Sequence, residues 1–359
     1  MSKSWKIAVI AGDGIGPEIL KQVIKVLESL KRYKQIDMTT TQLPYSANYY
    51  LQTNVSIPDE FIAELDKNYD AILIGPLGDP RIPDGRHARE IILGIRNKLD
   101  LYFSFQRVKV YDPWMSPLKN PTEAMANFYI FRENIESSAL KSGGGLYSGT
   151  EKEIAIQSFI YTRQNVDRFI QKSFEFASNL NLKKIVLAHK NTIMPHLHEL
   201  WLNIFREKAV KFTEITADSL NIDALLLDLL SDPLKYEAII APAEIADIIY
   251  DAGLFLQGGY GLAHMCEINP GKIGAFRITQ GSTVKMVGHN RANPFGAFLA
   301  TIEMLKFLGL NEMADIIEQA LSQVLQKHLV TIDMGGLIGT EEIGNYLCEY
   351  IREQFPGAE

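Results

Sequence analysis

Short apolar runs alternate along this chain with longer segments whose apolar positions recur every three to four residues. Lys6-Ile7-Ala8-Val9-Ile10 is a strand-like run that ends in a glycine-rich turn. From Pro17 to about Leu30 the spacing predicts a helix, with proline at the first position, where its missing N–H costs nothing. Ile36 to Leu43 follows as a second strand pattern. Tyr69 to Gly75, Lys184 to Ala188 and Tyr236 to Ile240 read as buried strands, each after a helical stretch. Continuous apolar strands interleaved with helices predict an α/β protein with a largely parallel sheet. The one break in composition, Lys141 to Gly149, reads as a flexible loop leading into or out of a hairpin.

Composition narrows the picture. At 359 residues the chain is long enough for about two domains. Its 47% hydrophobic and 22% charged residues are those of an ordinary soluble globular protein. The net charge of −7, with no long basic run, argues against a nucleic-acid partner. No apolar stretch approaches the ~18 residues that span a bilayer. Met1 to Trp5 leads straight into a strand pattern with no signal-peptide core. Cys266 and Cys348 form neither a disulfide framework nor a metal spacing, so a cytoplasmic location is expected.

Three aspartates carry candidate chemistry. Asp247 and Asp251 are four residues apart in a helical pattern, so both carboxylates leave one face. With Asp223 they offer three hard oxygen donors, suited to Mg²⁺ or Mn²⁺. The plain alternative for the pair is a solvated helix face. Lys190 lies just past an apolar strand, where α/β sites gather, or is a solvated loop lysine. Gly12-Asp13-Gly14-Ile15-Gly16 follows a strand and opens a helix, as a dinucleotide fingerprint does. Its spacing is G-x-G-x-G rather than G-x-G-x-x-G, and Asp37 begins the second strand pattern instead of ending it. The fold is therefore not expected to be a Rossmann fold.

At this point nine segments in order carry a resemblance. They are Ile10 to Glu18, Leu93-Gly94-Ile95-Arg96, Phe131-Arg132-Glu133-Asn134, Leu146-Tyr147-Ser148-Gly149, His189-Lys190-Asn191, Ile222-Asp223-Ala224, Asp247 with Asp251, Ala292-Asn293-Pro294, and Asp333 to Glu342. Together they resemble the metal-dependent β-decarboxylating dehydrogenases, the isopropylmalate, isocitrate and tartrate dehydrogenase family.

The resemblance implies a two-domain isopropylmalate-dehydrogenase-like α/β fold with parallel and mixed sheets. One domain would join residues 1–101 with 258–359. The other would hold 102–257, with a dimerisation arm at about 134–160. It implies oxidation of a 3-substituted malate by NAD⁺ or NADP⁺, followed by loss of CO₂. Lys190 and Tyr147 match the catalytic lysine and tyrosine. Asp223, Asp247 and Asp251 match the ligands of Mg²⁺ or Mn²⁺. Arg96 and Arg132 match two of three substrate arginines, and Ile92 and Leu93 stand where the C3 substituent is read, which favours an isopropylmalate-like substrate. Gln280, Gly281, Ser282, Lys285 and Asn293 match the cofactor positions; Asn293 has a helix cap before Pro294 as its alternative. The implied assembly is a homodimer with shared sites, Lys190 and Asp223 coming from the neighbouring subunit.

Departures from the family pattern leave a second reading open. The third arginine falls on Gln106, beside Arg107; a one-residue slip would let Arg107 take its place. Gln280 replaces a histidine, and Lys285 favours a 2′-phosphate, hence NADP⁺. Residues 135–145 form an insertion before Tyr147, and Ala241 to Ala246 departs from the usual segment before Asp247. These changes motivate the alternatives of a non-catalytic or regulatory paralogue, or a tartrate- or isocitrate-type enzyme of altered substrate.

Overall fold

The computed structural model describes residues 4–118, 126–137 and 142–355. The chain divides into two compact units. One comprises Met1–Leu101, Val110–Pro121 and Gln257–Glu359; the other comprises Tyr102–Lys109 and Thr122–Leu256. Residues 110–121 thus belong with the first unit, although they fall within the 102–257 span expected for the second.

In the first unit, strands β1 (Trp5–Ile10), β2 (Met38–Leu43) and β3 (Ala71–Ile74) are parallel, with β1 in the middle. β3 pairs in parallel with a later strand, β12 (Ile273–Ile278), which pairs antiparallel with β11 (His264–Asn269). Every residue of β3 is buried, which is why it reads as an unbroken apolar run. Helix α1 (Gly16–Lys34) buries one stripe, from Ile19 to Leu30. Glu18 lies in its first turn and Lys31, Arg32 and Lys34 in its last, matching the helix dipole. It runs four residues past the expected end, because the polar residues after Leu30 are good helix formers and the chain turns only at Gln35, in the left-handed region. Helix α9 (Phe295–Phe307) is buried on all sides over Phe295–Leu305 and forms the centre of this unit.

In the second unit, β4 (Phe103–Lys109) pairs antiparallel with β5 (Asn127–Glu133). β5, β10 (Ala238–Ala241), β8 (Lys184–His189) and β9 (Thr216–Asn221) then follow one another in parallel. Phe103, Phe105, Phe131, Phe169 and Phe176 pack their rings together at centroid distances of 4.9–6.2 Å. Ring pairs at such spacings contribute about 0.5–1.5 kcal/mol each beyond their area. A separate antiparallel hairpin, β6 (Gly143–Leu146) with β7 (Ile154–Gln157), exposes every residue of both strands. A hairpin is therefore present, but Gly143–Leu146 forms its first strand rather than a loop leading to it; residues 138–141 of the insertion, Lys141 among them, lie outside the described residues. Among the described residues, no helix is long and apolar enough to cross a membrane.

Candidate active site

The carboxyl ends of β5, β10, β8 and β9 face the same way because these four strands are parallel. Crevices at such ends are where α/β folds place ligands. Arg132 sits near the end of β5, opposite Ala241 at the end of β10. Helix α8 (Ala243–Gln257) begins just after β10 and carries Asp247. Arg132 Nε donates to Asp247 Oδ1 at 2.8 Å, and its Nη2 lies 3.4 Å from Oδ2. Arg132 also donates to Asn134. Asp251 follows one turn later, exposed like Asp247.

Lys190 follows β8, and Asp223 opens helix α7 (Ile222–Ser231) directly after β9. The last residues of those strands, His189 and Asn221, are register partners, which brings the starts of the following loop and helix together. Lys190 Nζ pairs with the Asp223 carboxylate. Asn221 caps α7 by accepting the Asp223 N–H. Asp223 is therefore with Lys190, not with Asp247 and Asp251. Among the described residues, no three His, Cys, Asp or Glu side chains of one chain converge as a metal site.

Two acids, buried Glu133 and half-buried Glu244, brace this edge. Glu133 accepts from Asn165 Nδ2 at 2.8 Å and from the Ile135 N–H at 2.9 Å. Burial nevertheless holds its carboxyl above the ordinary range, against the pull of those donors. Glu244, in the first turn of α8, accepts from Ser137 Oγ and from Tyr161 Oη, both at 2.7 Å. Burial, then the Glu244 charge, raises the Tyr161 phenol. The altered segment before Asp247 thus supplies a hydrogen-bonded anchor for the helix that carries both aspartates.

The ladder between β4 and β5 is regular, so the proposed slip at Arg107 does not occur. Ser104 opposes Arg132, Gln106 opposes Ile130 and Arg107 opposes Tyr129. Directly opposed residues share a face and neighbours along a strand alternate. Gln106 therefore shares the face of Arg132, and Arg107 lies on the other. Arg107 Nε donates to Asn127 Oδ1 at 2.9 Å, and its guanidinium lies over the Tyr129 ring at 5.7 Å. Gln106 is buried with neither amide atom hydrogen-bonded among the described residues.

In the first unit, helix α4 (Arg86–Lys98) carries the substrate-side candidates. Ile91 and Ile95 face the core, while Ile92 and Leu93 are half-buried. Arg96 is held by Glu267 of β11: Nε and Nη2 donate to Oε1 at 2.9 and 2.5 Å. Arg277 of β12 donates through Nε to the other oxygen, Oε2, at 2.6 Å.

The first glycine turn packs against the candidate cofactor loop. The Ile15 N–H donates to the Ser282 carbonyl at 2.9 Å. A Cβ at Gly14, whose φ is +55°, would lie 1.9 Å from that oxygen. Asp13 locks the same turn in place by accepting from the N–H groups of Ala47 and Gly78 and from His87 Nε2, at 2.6, 2.8 and 2.9 Å. Gln280 Nε2 donates to the Asn293 carbonyl at 2.8 Å, while Gly281 and Lys285 are exposed. The Asn293 side chain accepts the Phe295 N–H at 2.8 Å and donates to Asp333 at 2.9 Å. It is buried, engaged at both ends, and satisfies the first N–H of α9 (Pro294 itself stands at the N-cap position).

Tyr147 stands just past β6, 65% exposed, at φ 53°. Among the described residues its phenol has no hydrogen-bond partner, Lys190 included.

Sequence reasoning missed Glu267, Arg277 and the Asp13–His87 pair. The signal was a charge inside an apolar strand, as in His264 to Asn269 and Ile273 to Ile278, since such residues are rarely buried unless paired.

Comparison with known proteins places the chain in a family. The family model "Isocitrate/isopropylmalate dehydrogenase" matches residues 6–347. A 3-isopropylmalate dehydrogenase of Thermobifida fusca is 31% identical over 355 residues, 98% of this chain and 99% of its own. One of Corynebacterium efficiens is 34% identical over 349 residues, 96% and 98% of the two chains. The crystal structure of isocitrate dehydrogenase from Methylococcus capsulatus superposes with a TM-score of 0.86 at 25% identity, over 97% of this chain and 99% of that one. The fold is that of a decarboxylating dehydrogenase. The chain belongs to the isocitrate/isopropylmalate dehydrogenase family.

Proposed function

We propose that this enzyme oxidises and decarboxylates a 3-substituted malate, isopropylmalate-like, with NADP⁺ or NAD⁺ and Mg²⁺ or Mn²⁺. The observation that carries the reading is the pair of ion pairs, Arg132–Asp247 and Lys190–Asp223, on the shared carboxyl edge of four parallel strands. The reaction balances without an external acid. The C2 hydrogen leaves as hydride to the nicotinamide and the hydroxyl proton goes to a base. The C3–carboxylate bond then breaks, and one proton returns to C3.

Lys190 is the candidate base, deprotonating the hydroxyl once Asp223 turns to another cation. Tyr147 is the candidate acid that returns a proton to C3. Arg96 and Arg132 grip carboxylates by paired N–H donors. Ile92 and Leu93, half-buried on α4, present an apolar wall to the C3 substituent. The hard carboxylate donors Asp247 and Asp251, with Asp223, fit a divalent ion, whose positive charge would lower the hydroxyl pKa and stabilise the enolate. Gln280 to Lys285 would meet the adenosine end of the cofactor, with exposed Lys285 suited to a 2′-phosphate.

Asp223 is occupied by Lys190 of its own chain, and the Tyr147 arm is solvent-exposed. Both features support a homodimer in which one chain's Lys190 and Asp223 complete the site at the other's Asp247 and Asp251. Mixed Lys190→Ala and Asp247→Ala chains should then regain activity in hybrid dimers, and failure to do so would count against shared sites.

The test is a panel of malates with varied C3 substituents, run with each cofactor and with Mn²⁺ or Mg²⁺. Metal-dependent NAD(P)H formation with at least one apolar-substituted malate is expected. Silence across the panel, with cofactor and metal shown to bind, would favour a non-catalytic paralogue.

A further inference from the structure

Glu267 holds two guanidinium groups, Arg96 on one oxygen and Arg277 on the other. The register explains the second contact. On the antiparallel pair β11–β12, Glu267 opposes Ala275 and Met265 opposes Arg277. All four residues therefore share one face, with Glu267 and Arg277 as diagonal neighbours. The three charged side chains are nearly dry: Glu267 is 1% exposed, Arg96 8% and Arg277 11%.

Arg277 shares its one carboxylate partner with Arg96. A guanidinium withdrawn from water holds its place when its charge and its N–H donors find partners. Arg277 has spent Nε on Glu267, and its Nη2 lies 3.0 Å from Met265 Sδ, a weak acceptor. Its Nη1 has no hydrogen-bond partner among the described residues. Glu303, the acid two helical turns along from the start of α9, is engaged by Lys306. Arg277 also lies at the ligand end of the sheet: it pairs with Ile74, the last residue of β3, and precedes the 280–286 loop by three residues.

The position where a third substrate arginine was expected holds the neutral Gln106, and Arg107 points to the opposite face of its strand. We propose that Arg277 is a specificity-determining, carboxylate-binding residue that works beside Arg96. Glu267 fixes both guanidiniums, so the pair presents preset donors to one carboxylate of a small hydroxy-diacid. The inference rests on the substrate class proposed above.

The test compares wild type with Arg277→Met, which keeps bulk and loses charge, and with Arg277→Lys, which keeps charge and loses the fork. Steady-state constants are measured with the best malate from the panel, together with melting temperatures. For Arg277→Met, KM for the hydroxy-diacid should rise by about 30- to 100-fold, while kcat stays within about threefold and KM for the nicotinamide cofactor is unchanged. Arg277→Lys should recover about tenfold of that loss. Should the Met variant fail to fold, the Lys variant decides: its KM should exceed wild type by about three- to tenfold. An unchanged KM overturns the proposal, as does a fall in melting temperature and kcat with no separate effect on KM. If the wild type turns over no malate, the substrate reading fails by itself. Arg277 is then judged by calorimetric titration with malate: binding weakened in Arg277→Met supports a carboxylate site, and equal or absent binding overturns it.

Discussion

Arg132 and Asp247 neutralise each other, with Arg132 Nε 2.8 Å from Asp247 Oδ1. A candidate substrate cation and a candidate metal ligand are thus one ion pair. A divalent ion that takes Asp247 must displace the guanidinium, which is then released for a carboxylate. Metal and substrate should therefore favour each other's binding by the same factor.

Arg132→Met removes the competitor for Asp247. Because Asp247 is about half exposed, the lost pair is a weak one. Mn²⁺ should bind the substrate-free variant about two- to fivefold more tightly than wild type, while substrate KM rises at least about tenfold. Calorimetric Mn²⁺ titrations check the first effect; weaker metal binding in the variant would sink the exchange.

Gly14 has no room for a methyl group, since its Cβ would lie 1.9 Å from the Ser282 carbonyl at a φ that disfavours L residues. Gly14→Ala should cost about 1–3 kcal/mol of stability and raise KM for the nicotinamide cofactor more than that for substrate. Chemical denaturation and steady-state kinetics read the two effects separately. A variant as stable as wild type would show that the 280–286 loop yields freely.

Arg107 faces Asn127 and Tyr129, away from the face of Gln106 and Arg132. Arg107→Ala should change substrate KM by less than about threefold, the scale of an exposed side-chain contact. A loss of a hundredfold would restore Arg107 to the clamp.

The alternation of apolar strands and helices made the α/β class legible, and ordered motifs pointed to the candidate residues. Pairings were hidden. That Arg107 looks away from the clamp follows from a regular β4–β5 register, and register is a property of two strands that neither spells out alone. Asn293 had two readings because Asn before Pro suits both a ligand contact and a cap; its bonds to the Phe295 N–H and to Asp333 join residues that the sequence does not connect. Glu267 and Arg277, ten residues apart, looked like isolated charges until the antiparallel turn set them side by side.

His198 of helix α6 (Pro195–Ala209) is fully buried, and neither ring nitrogen has a hydrogen-bond partner among the described residues. Burial, opposed by the Glu244 charge and helped by His189, lowers its pKa to about 4. The unfolded chain takes up that proton near pH 6.5, the folded chain only near pH 4. The folded state is therefore favoured in full above pH 6.5 and loses roughly 3 kcal/mol as pH falls from 6.5 to 4. Urea denaturation across that window should show His198→Gln losing less stability than wild type. Equal losses would mean that His198 finds a proton-accepting partner in the native state.

Stoichiometry tests the catalytic reading most directly. Wild type, Mn²⁺, the nicotinamide cofactor and the best malate should release one CO₂ for each NAD(P)H formed. Both products should vanish together on chelation, and Asp247→Asn should lower the rate by at least about a hundredfold. NAD(P)H without CO₂, or turnover unaffected by chelation and by loss of Asp247, would contradict a metal-dependent oxidative decarboxylation.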